Sequence, residues 1–246
     1  MPSLALALFD CDGVLVDSEI IAARVEAEMF KEIGIEIEAE ELAERFAGLT
    51  LPRILELLSE ETGVRFPENF ADKVEKETDV RLGRDLEAIE GVHAMLDAVD
   101  LPRAICSNSS SVRLEMELTP LGLWDRFKPY VYAAREVGSK KGKPAPDVYL
   151  YSCEQFGVAP ASAIVIEDSV HGVAAAVAAG CRVVGFTGGA HSYLGHAEAL
   201  SEAGAETVIS RLKDYPAVIE AMAAWEVVRG PAGLRASQGA TGSGPN

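Results

Sequence analysis

The hydrophobic positions of the 246-residue chain follow two different patterns. Short and almost continuous apolar runs occur at 4–9, 104–106, 163–166, 182–186 and 207–209, with a shorter one at 130–132. Such runs are typical of strands that are covered on both faces. Segments with helical periodicity separate them, at 110–121, 147–156, 169–179 and 193–203, and a last one follows at 215–228. This alternation predicts an α/β fold with a doubly wound, mostly parallel, Rossmann-like sheet.

The segment 18–87 interrupts this alternation with a purely helical pattern. Apolar residues recur every four positions from Ile21 to Ile33, which predicts one helix face, with Asp17 or Ser18 as its cap and Gly34 as its end. Three more helices are predicted at about 38–47, 51–62 and 68–86. We therefore expect an all-helical cap subdomain at 18–87, inserted into a core formed by 1–17 and 88–229, with a flexible Gly- and Ser-rich tail at 230–246.

The charge of the chain excludes some classes of partner. The formal net charge is −17, and the segment 18–87 alone holds 19 acidic against 9 basic residues. This surface repels nucleic acid and anionic lipid, so neither is expected as a partner, and an anionic substrate needs a locally positive site. The apolar runs are too short to span a bilayer, and no basic residue precedes the first one, so we expect a cytoplasmic protein without a signal peptide. The four cysteines lack metal-ligand spacing and are expected to be reduced thiols. We expect a monomer or a weak dimer.

Polar side chains follow three of the predicted strands. The carboxyl ends of parallel strands form the usual ligand-binding edge of an open α/β sheet. The polar residues at these ends are Asp10, Asp12, Ser107, Asn108, Glu167 and Asp168, and a proline-flanked loop adds Lys143. Carboxylates clustered in this way repel each other unless a cation lies among them, and carboxylate oxygens favour a hard divalent ion. The sequence therefore predicts a site for such an ion and for a phosphoryl group held by metal, lysine and hydroxyl.

Each of these residues also has a purely structural interpretation. Ser107 and Asn108 are common turn formers, and Glu167 or Asp168 could simply cap the following helix. Other site templates do not fit. The segment from Asp10 lacks the glycine and the glutamate of a calcium-binding EF-hand, and Lys143 is followed by proline rather than by the hydroxyl residue of a P-loop. The histidines have no metal-ligand spacing, and a packing or surface role is expected even for His171, which follows Asp168 closely.

The arrangement resembles the haloacid dehalogenase-like hydrolases. The segment 9–18, FDCDGVLVDS, is similar to their first motif, Ser107 to the second, Lys143 to the third and Glu167-Asp168 to the fourth. The helical insertion is similar to the cap of the β-phosphoglucomutase and phosphoglycolate phosphatase branch. Segments 9–19 and 86–92 most resemble bacterial 6-phosphogluconate phosphatases and related sugar phosphatases. The resemblance extends from the first strand to about residue 228.

This resemblance implies a phosphatase that uses Mg²⁺ and acts on a small phosphorylated sugar or sugar acid. Asp10 would form an aspartyl-phosphate, and Asp12 would act as general acid and base. Lys143 and Ser107, helped by Asn108, would hold the phosphoryl oxygens. Mg²⁺ would lie on Asp10, Asp168 and the Asp12 carbonyl, with Glu167 supporting it. For the substrate, the candidates in the cap are Glu19 and Arg53, followed by Arg81 and Arg84, although the arginines could equally be surface charges.

Three other functions stay open at this point. A phosphomutase of the β-phosphoglucomutase kind is the first alternative, but its relatives carry a histidine where this chain has Ala22. A dehalogenase is disfavoured because the dehalogenases of this family lack an acid two residues after the nucleophile, and this chain has Asp12 there. A non-catalytic regulator that accepts a phosphoryl group is also disfavoured by Asp12, because an acid and base at this position would shorten the lifetime of an acyl phosphate.

Overall fold

The computed structural model of the protein describes residues 3–46 and 49–228. Six strands form one sheet, all parallel, in the order β3-β2-β1-β4-β5-β6. They are β1 (Leu6–Phe9), β2 (Arg103–Ser107), β3 (Val131–Ala133), β4 (Ala163–Glu167), β5 (Arg182–Phe186) and β6 (Thr207–Ile209). This is the strand order of the doubly wound dinucleotide-binding folds, in which the direction of winding reverses beside β1. The predicted fold class is confirmed.

The central strand β1 is buried on both faces, as its continuous apolar run predicts. Leu6 and Leu8 pack into the core on one face of the sheet, and Ala7 and Phe9 pack into the core on the other. The Phe9 ring meets the ring of Phe127 edge to face, with 5.6 Å between the centroids. Full burial of such side chains contributes about 1.5–3 kcal/mol each, so β1 fixes the position of the residues that follow it.

Eleven α-helices are found in the described ranges. They are α1 (Ser18–Glu32), α2 (Ala39–Arg45), α3 (Leu51–Thr62), α4 (Phe70–Asp85), α5 (Val92–Ala98), α6 (Ser111–Leu118), α7 (Trp124–Phe127), α8 (Asp147–Phe156), α9 (Val170–Ala179), α10 (His196–Glu202) and α11 (Tyr215–Val228). The short helices α5 and α7 are not predicted from the sequence. The helix predicted at 110–121 ends at Leu118, and the one predicted at 193–203 begins only at His196, so residues 187–195 form a longer loop than expected. The expected tail at 230–246 lies outside the described residues.

Helices α1 to α4 follow β1 and form a hydrophobic cluster of their own. No strand occurs in the described part of this segment, and isolated bridges at Asp12, Val16 and Ala88 lie at its two ends. Phe30 of α1 stacks on Phe70 of α4, with 5.8 Å between the ring centroids, and Leu42 and Leu58 are buried in the same cluster. A second, smaller cluster joins Ile21 and Leu82 of these helices to the sheet-bearing part of the chain.

The start of α1 differs from the expectation in one respect. Neither Asp17 nor Ser18 caps the helix with its side chain. Instead, Oδ1 of Asp17 accepts a hydrogen bond from the Ala190 backbone N–H, and the Ser18 hydroxyl donates to Asp12. These two side chains therefore tie the first turn of α1 to the ends of β1 and β5. None of the helices in the described ranges is long and apolar enough to cross a membrane.

Candidate active site

The polar residues predicted at the strand ends meet at one edge of the sheet. Asp10 directly follows β1, while Ser107 and Glu167 are the last residues of β2 and β4, the two strands that flank β1. The carboxyl ends of these three neighbouring strands lie side by side where the winding reverses. Asp10, Ser107, Glu167 and Asp168 are all buried. The sheet thus brings residues from distant parts of the chain into a single cluster.

Lys143 lies at the centre of this cluster. Its ammonium is 2.6 Å from Oδ1 of Asp10 and 2.6 Å from Oε1 of Glu167, and only 3% of its side chain is exposed. Burial alone would lower the pKa of Lys143, but the two carboxylates outweigh this effect and raise it. Burial and the Glu167 carboxylate raise the pKa of Asp10 well above its usual value, and Lys143 opposes the rise. Lys143 therefore stays protonated and places a positive charge beside the Asp10 carboxylate.

Asn108 fixes the loop that carries Lys143. Its side-chain Oδ1 accepts a hydrogen bond of 2.8 Å from the Lys143 backbone N–H, and its Nδ2 donates a longer one, 3.4 Å, to the Lys143 carbonyl. Oδ1 of Asn108 would also lie 2.9 Å from a Cβ at Gly142, so this glycine leaves room for the amide. In this arrangement both polar groups of the Asn108 side chain contact the lysine backbone.

The Glu167 carboxylate accepts four hydrogen bonds. Oε1 accepts from Lys143 and, at 2.8 Å, from the Tyr149 hydroxyl, while Oε2 accepts from the backbone N–H and the hydroxyl of Ser169 at 3.1 and 3.0 Å. Ser169 also accepts a hydrogen bond from Gly172 N–H and is the residue that caps α9. Neither Glu167 nor Asp168 caps that helix, so the alternative considered from the sequence is wrong.

The Asp12 carboxylate is held by three hydroxyl groups. Ser18 donates to Oδ1 at 2.7 Å, and Ser107 and Ser109 donate to Oδ2 at 3.2 and 2.8 Å. Ser18 belongs to α1 and the other two lie at or just after the end of β2, so one carboxylate joins the helical segment to the sheet. Asp12 therefore has a fixed orientation beside Asp10.

A divalent cation fits the acidic group at this edge. Asp10, Glu167 and Asp168 each offer a carboxylate oxygen, and the three oxygens lie within 4.8 Å of one another. Among the described residues, Oδ2 of Asp10 and Oδ1 of Asp168 receive no hydrogen bond, so both can face an ion. All these donors are oxygens, the ligand type of Mg²⁺. Burial raises the pKa of Asp168 as well, which is the effect that a bound cation would reverse.

The remaining predicted residues have varied surroundings. The Glu19 side chain is exposed to solvent. Partial desolvation by the surrounding protein, followed by the negative charges of Asp12 and Asp168, raises the pKa of Glu19 to about 7. The effect of these two carboxylates places Glu19 next to the site. Arg53 is half exposed and pairs with Glu56 of its own helix. The described contacts of Arg53 do not reach the strand ends, so its role in binding stays a prediction.

The two other candidate arginines of the helical segment also pair with acids of that segment, Arg84 in an exposed position and Arg81 in a partly buried one. Arg81 pairs with Glu28 and Glu77, and Arg84 pairs with Asp85. His171 is exposed on α9, in line with the surface role that the sequence favours.

Several residues at the site are not identified from the sequence. Ser18 and Ser109 bind Asp12, Tyr149 binds Glu167, and His191 lies 2.9 Å from Oδ2 of Asp168. Ser109 lies two positions after the end of β2, so it could be identified from the sequence by considering every polar residue that follows a predicted strand. His191 lies in the loop after β5, but with the helix predicted at 193–203 this loop would be too short to reach the site.

Comparisons with known proteins agree with this geometry. The family described as "Haloacid dehalogenase-like hydrolase" matches residues 7–186. A relative named 6-phosphogluconate phosphatase, from Escherichia coli (strain K12), is 32% identical over 193 residues, which cover 78% of this chain and 86% of the relative.

Two solved structures are also similar. A haloacid dehalogenase-like protein of unknown function from Agrobacterium tumefaciens str. C58 is 52% identical, with a TM-score of 0.87, over 89% of this chain and 99% of that chain. A HAD family hydrolase from Deinococcus radiodurans R1, with bound phosphate and sodium, is 34% identical, with a TM-score of 0.79, over 90% and 97%. The resemblance inferred from the strand-end motifs is thereby confirmed: the chain belongs to the haloacid dehalogenase-like hydrolases.

Proposed function

We propose that the protein is a phosphatase that depends on a divalent cation and hydrolyses the phosphate ester of a small sugar or sugar acid. The family supports a hydrolase, and the relative from Escherichia coli is named as a phosphatase. One observation of this chain carries the proposal. The buried Asp10 carboxylate is bound at one oxygen by Lys143, and its other oxygen is free of hydrogen bonds in the described part of the chain. This is the arrangement of an oriented nucleophile beside a cation that can bind phosphate.

The reaction is a double displacement at phosphorus. The Asp10 carboxylate attacks the phosphorus atom, the P–O bond to the sugar breaks, and an aspartyl-phosphate forms. Asp12 gives a proton to the departing sugar oxygen, and in the second step it takes a proton from the water that attacks the same phosphorus. That attack releases inorganic phosphate and restores the Asp10 carboxylate. Lys143 offsets phosphoryl charge throughout, and the Ser107 hydroxyl would turn from Asp12 to donate its hydrogen bond to a phosphoryl oxygen.

The cation belongs on the side of Asp10 that Lys143 does not cover. Asp10, Asp168 and the Asp12 backbone carbonyl would hold it, and Mg²⁺ is the ion that this oxygen ligand set favours. When bound, the ion neutralises negative charge on the phosphoryl group. Glu167 has its described hydrogen bonds with Lys143, Tyr149 and Ser169, so we assign it to holding the lysine and supporting the metal ligands.

The helical segment 18–87 is proposed as a cap over the site. Its first helix is joined to Asp12 through Ser18, and Asp79 of α4 lies 3.6 Å from Arg113 of α6. A cap in this position excludes water and contacts the leaving group. Glu19, next to the anchored Ser18, is the first candidate for contacts with sugar hydroxyls. Arg53 is the candidate for the carboxylate of a sugar acid such as 6-phosphogluconate.

The nucleophile is tested with Asp10→Asn. We expect this variant to fold and to lose at least about a thousandfold in phosphate release with Mg²⁺. The matched control is Asp125→Asn, an exposed aspartate on α7, which should keep wild-type activity. Radiolabelled substrate should mark the wild type transiently and should not mark Asp10→Asn. Turnover within about tenfold of the wild type in Asp10→Asn would remove Asp10 from the chemistry.

The substrate class is tested with a panel of phosphorylated metabolites. Released phosphate with sugar or sugar-acid phosphates, and little with nucleotides or phosphopeptides, is the expected result. Conversion of a sugar phosphate to its isomer without phosphate release would instead establish a mutase. Within the panel, Arg53→Ala should lower kcat/KM about tenfold to a hundredfold for carboxylated substrates and less for neutral ones. Equal losses for both classes would exclude a carboxylate-binding role for Arg53.

A further inference from the structure

The side chain of His191 reaches the metal-binding edge from the loop after β5. Its Nε2 lies 2.9 Å from Oδ2 of Asp168, and only 13% of the His191 side chain is exposed. A carboxylate can only accept a hydrogen bond, so Nε2 carries the proton of this contact. The contact occupies one oxygen of Asp168 and leaves Oδ1 free to face a cation. The contact therefore holds the Asp168 carboxylate by one of its two oxygens.

Two glycines shape the space for the His191 ring. A Cβ at Gly189 would lie 2.7 Å from both Cε1 and Nδ1 of His191, and a Cβ at Gly13 would lie 2.8 Å from Cε1. Distances below about 3.0 Å are closer than real Cβ contacts. Gly13 also approaches Asp168, because its Cβ would lie 2.0 Å from Oδ2 of that residue. The loop after β1 and the loop after β5 therefore form a niche that fits an imidazole ring against Asp168.

The backbone of Asp168 is held by a second histidine. Nε2 of His196 lies 2.7 Å from the Asp168 carbonyl oxygen, so this nitrogen is also a donor. The His196 ring is stacked on Tyr193, with 4.7 Å between the ring centroids, and is buried at the start of α10. His191 and His196 thus hold the two acceptor groups of one residue, its carboxylate and its carbonyl.

We propose that His191 is a positioning residue that orients the Asp168 carboxylate for the divalent cation. The inference rests on the proposed function, because it assumes that Asp168 is a metal ligand. Groups that hydrogen-bond to metal ligands fix the direction of the ligand lone pairs, and their removal typically lowers metal affinity about tenfold to a hundredfold. His191 contacts the ligand and not the ion, so its loss weakens binding without abolishing it.

The experiment measures metal binding in the absence of substrate. Mn²⁺ is titrated into the folded protein, the EPR signal of free Mn²⁺ gives the Kd, and Mg²⁺ is then added in competition. We expect His191→Ala to raise the Kd about tenfold to a hundredfold. His191→Gln, which can place an amide donor near the position of Nε2, should recover most of the loss. His93→Ala, at an exposed histidine of α5, is the control and should bind like the wild type.

Gly189→Ala tests the niche while His191 stays in the chain. The added methyl would displace the imidazole, so this variant should lose as much affinity as His191→Ala. In the double variant Gly189→Ala/His191→Ala the clash with the ring is gone, and the remaining close contact of the added Cβ is the Gly13 carbonyl oxygen at 3.2 Å. The Kd should therefore be close to that of His191→Ala alone. Such non-additivity is the expected sign of one shared interaction. Thermal unfolding of each variant shows that the protein is folded when the metal is added.

Asp168→Asn separates failure of this inference from failure of the proposed function. If Asp168→Asn abolishes Mn²⁺ binding while folded His191→Ala binds within about threefold of the wild type, His191 has no positioning role and the metal site stands. If Asp168→Asn leaves the Kd unchanged, the ligand assignment itself is wrong, and the inference falls with it. Additive losses in the double variant would also overturn the shared niche.

Discussion

The Tyr149 hydroxyl donates a hydrogen bond of 2.8 Å to Oε1 of Glu167, the same oxygen that binds the Lys143 ammonium. The Tyr149 side chain is fully buried, and the lysine nitrogen lies 5.1 Å from the centre of its ring. By holding Glu167, the Tyr149 hydroxyl also restricts the position of Lys143, which contacts Asp10. This relationship connects helix α8 to Asp10 through three successive polar contacts, Tyr149 to Glu167, Glu167 to Lys143 and Lys143 to Asp10.

Tyr149→Phe is expected to slow catalysis without removing any group that touches the substrate. Loss of one buried hydrogen bond should destabilise the fold by about 1 kcal/mol and lower kcat roughly threefold to tenfold, because Lys143 gains freedom. Phosphate release and urea unfolding measure the two effects. Tyr151→Phe, a partly buried tyrosine of the same helix, is the control. A kcat equal to that of the wild type in Tyr149→Phe would show that Lys143 needs no support from the phenol.

Gly172→Ala is expected to be strongly destabilising although it lies within helix α9. In a helix interior, alanine is normally more stable than glycine by about 0.5–1 kcal/mol. Here the new Cβ would lie 1.8 Å from Oε1 of Glu167, so the buried carboxylate would have to move away from Lys143. We expect a loss of several kcal/mol, of the size found when a buried charge pair is broken, together with loss of phosphatase activity.

Gly83→Ala is the matched control for that substitution. Gly83 also lies within a helix, α4, but a Cβ at this position would meet no atom within 4 Å beyond its own stretch of helix backbone. Chemical denaturation should show a gain of about 0.5–1 kcal/mol for this variant. If the two glycine variants changed stability in the same direction, the close approach of Glu167 would not be the reason for glycine at position 172.

The sequence is sufficient to predict the part of the site that depends on the sheet alone. Asp10 and Glu167 come together because parallel neighbouring strands end at one edge, and an apolar run followed by an acid is visible in the sequence. The contacts of Tyr149 and His191 depend instead on side-chain rotamers and on the path of a loop. No periodicity encodes these features. The full loop at 187–195 escapes prediction for a physical reason, since a helix signal near Tyr193 outweighs the left-handed Gly195 that precedes α10.

Asp12→Asn should separate proton transfer from phosphoryl transfer. We expect kcat to fall about a hundredfold to ten-thousandfold with alkyl phosphates, whose leaving oxygen needs a proton. An aryl phosphate such as p-nitrophenyl phosphate has a better leaving group and should lose much less. Ser109→Ala, which removes one hydroxyl from the Asp12 carboxylate, should show a smaller loss with the same preference. Equal losses on both substrates in Asp12→Asn would argue against its role as general acid.

Glu26 is expected to make the stability of the protein depend on pH. It is partly buried on α1, and loss of solvent raises its pKa from the usual 4.5 to about 7. The folded protein therefore keeps this carboxyl protonated over a range in which the unfolded chain has released the proton. The resulting stabilisation is complete below about pH 4.5 and is lost as the pH rises through about 7.

Glu26→Gln should remove this dependence, because the amide is neutral at every pH. Between about pH 5 and pH 8 the unfolding free energy of the wild type should fall by about 1–2.5 kcal/mol more than that of the variant, the upper value being the change over this window without solvent screening. Glu19 and Glu117 also have raised pKa values, about 7 and about 8, and both are present in the two proteins. The Glu26 carboxylate is the last of several causes that raise the pKa of Glu19, so the difference also includes this weaker coupling. Glu32→Gln, an exposed glutamate of the same helix, is the control and should follow the wild type. If urea unfolding shows the same change in unfolding free energy between the two pH values for the wild type and for Glu26→Gln, Glu26 is as well solvated in the folded protein as in the unfolded chain.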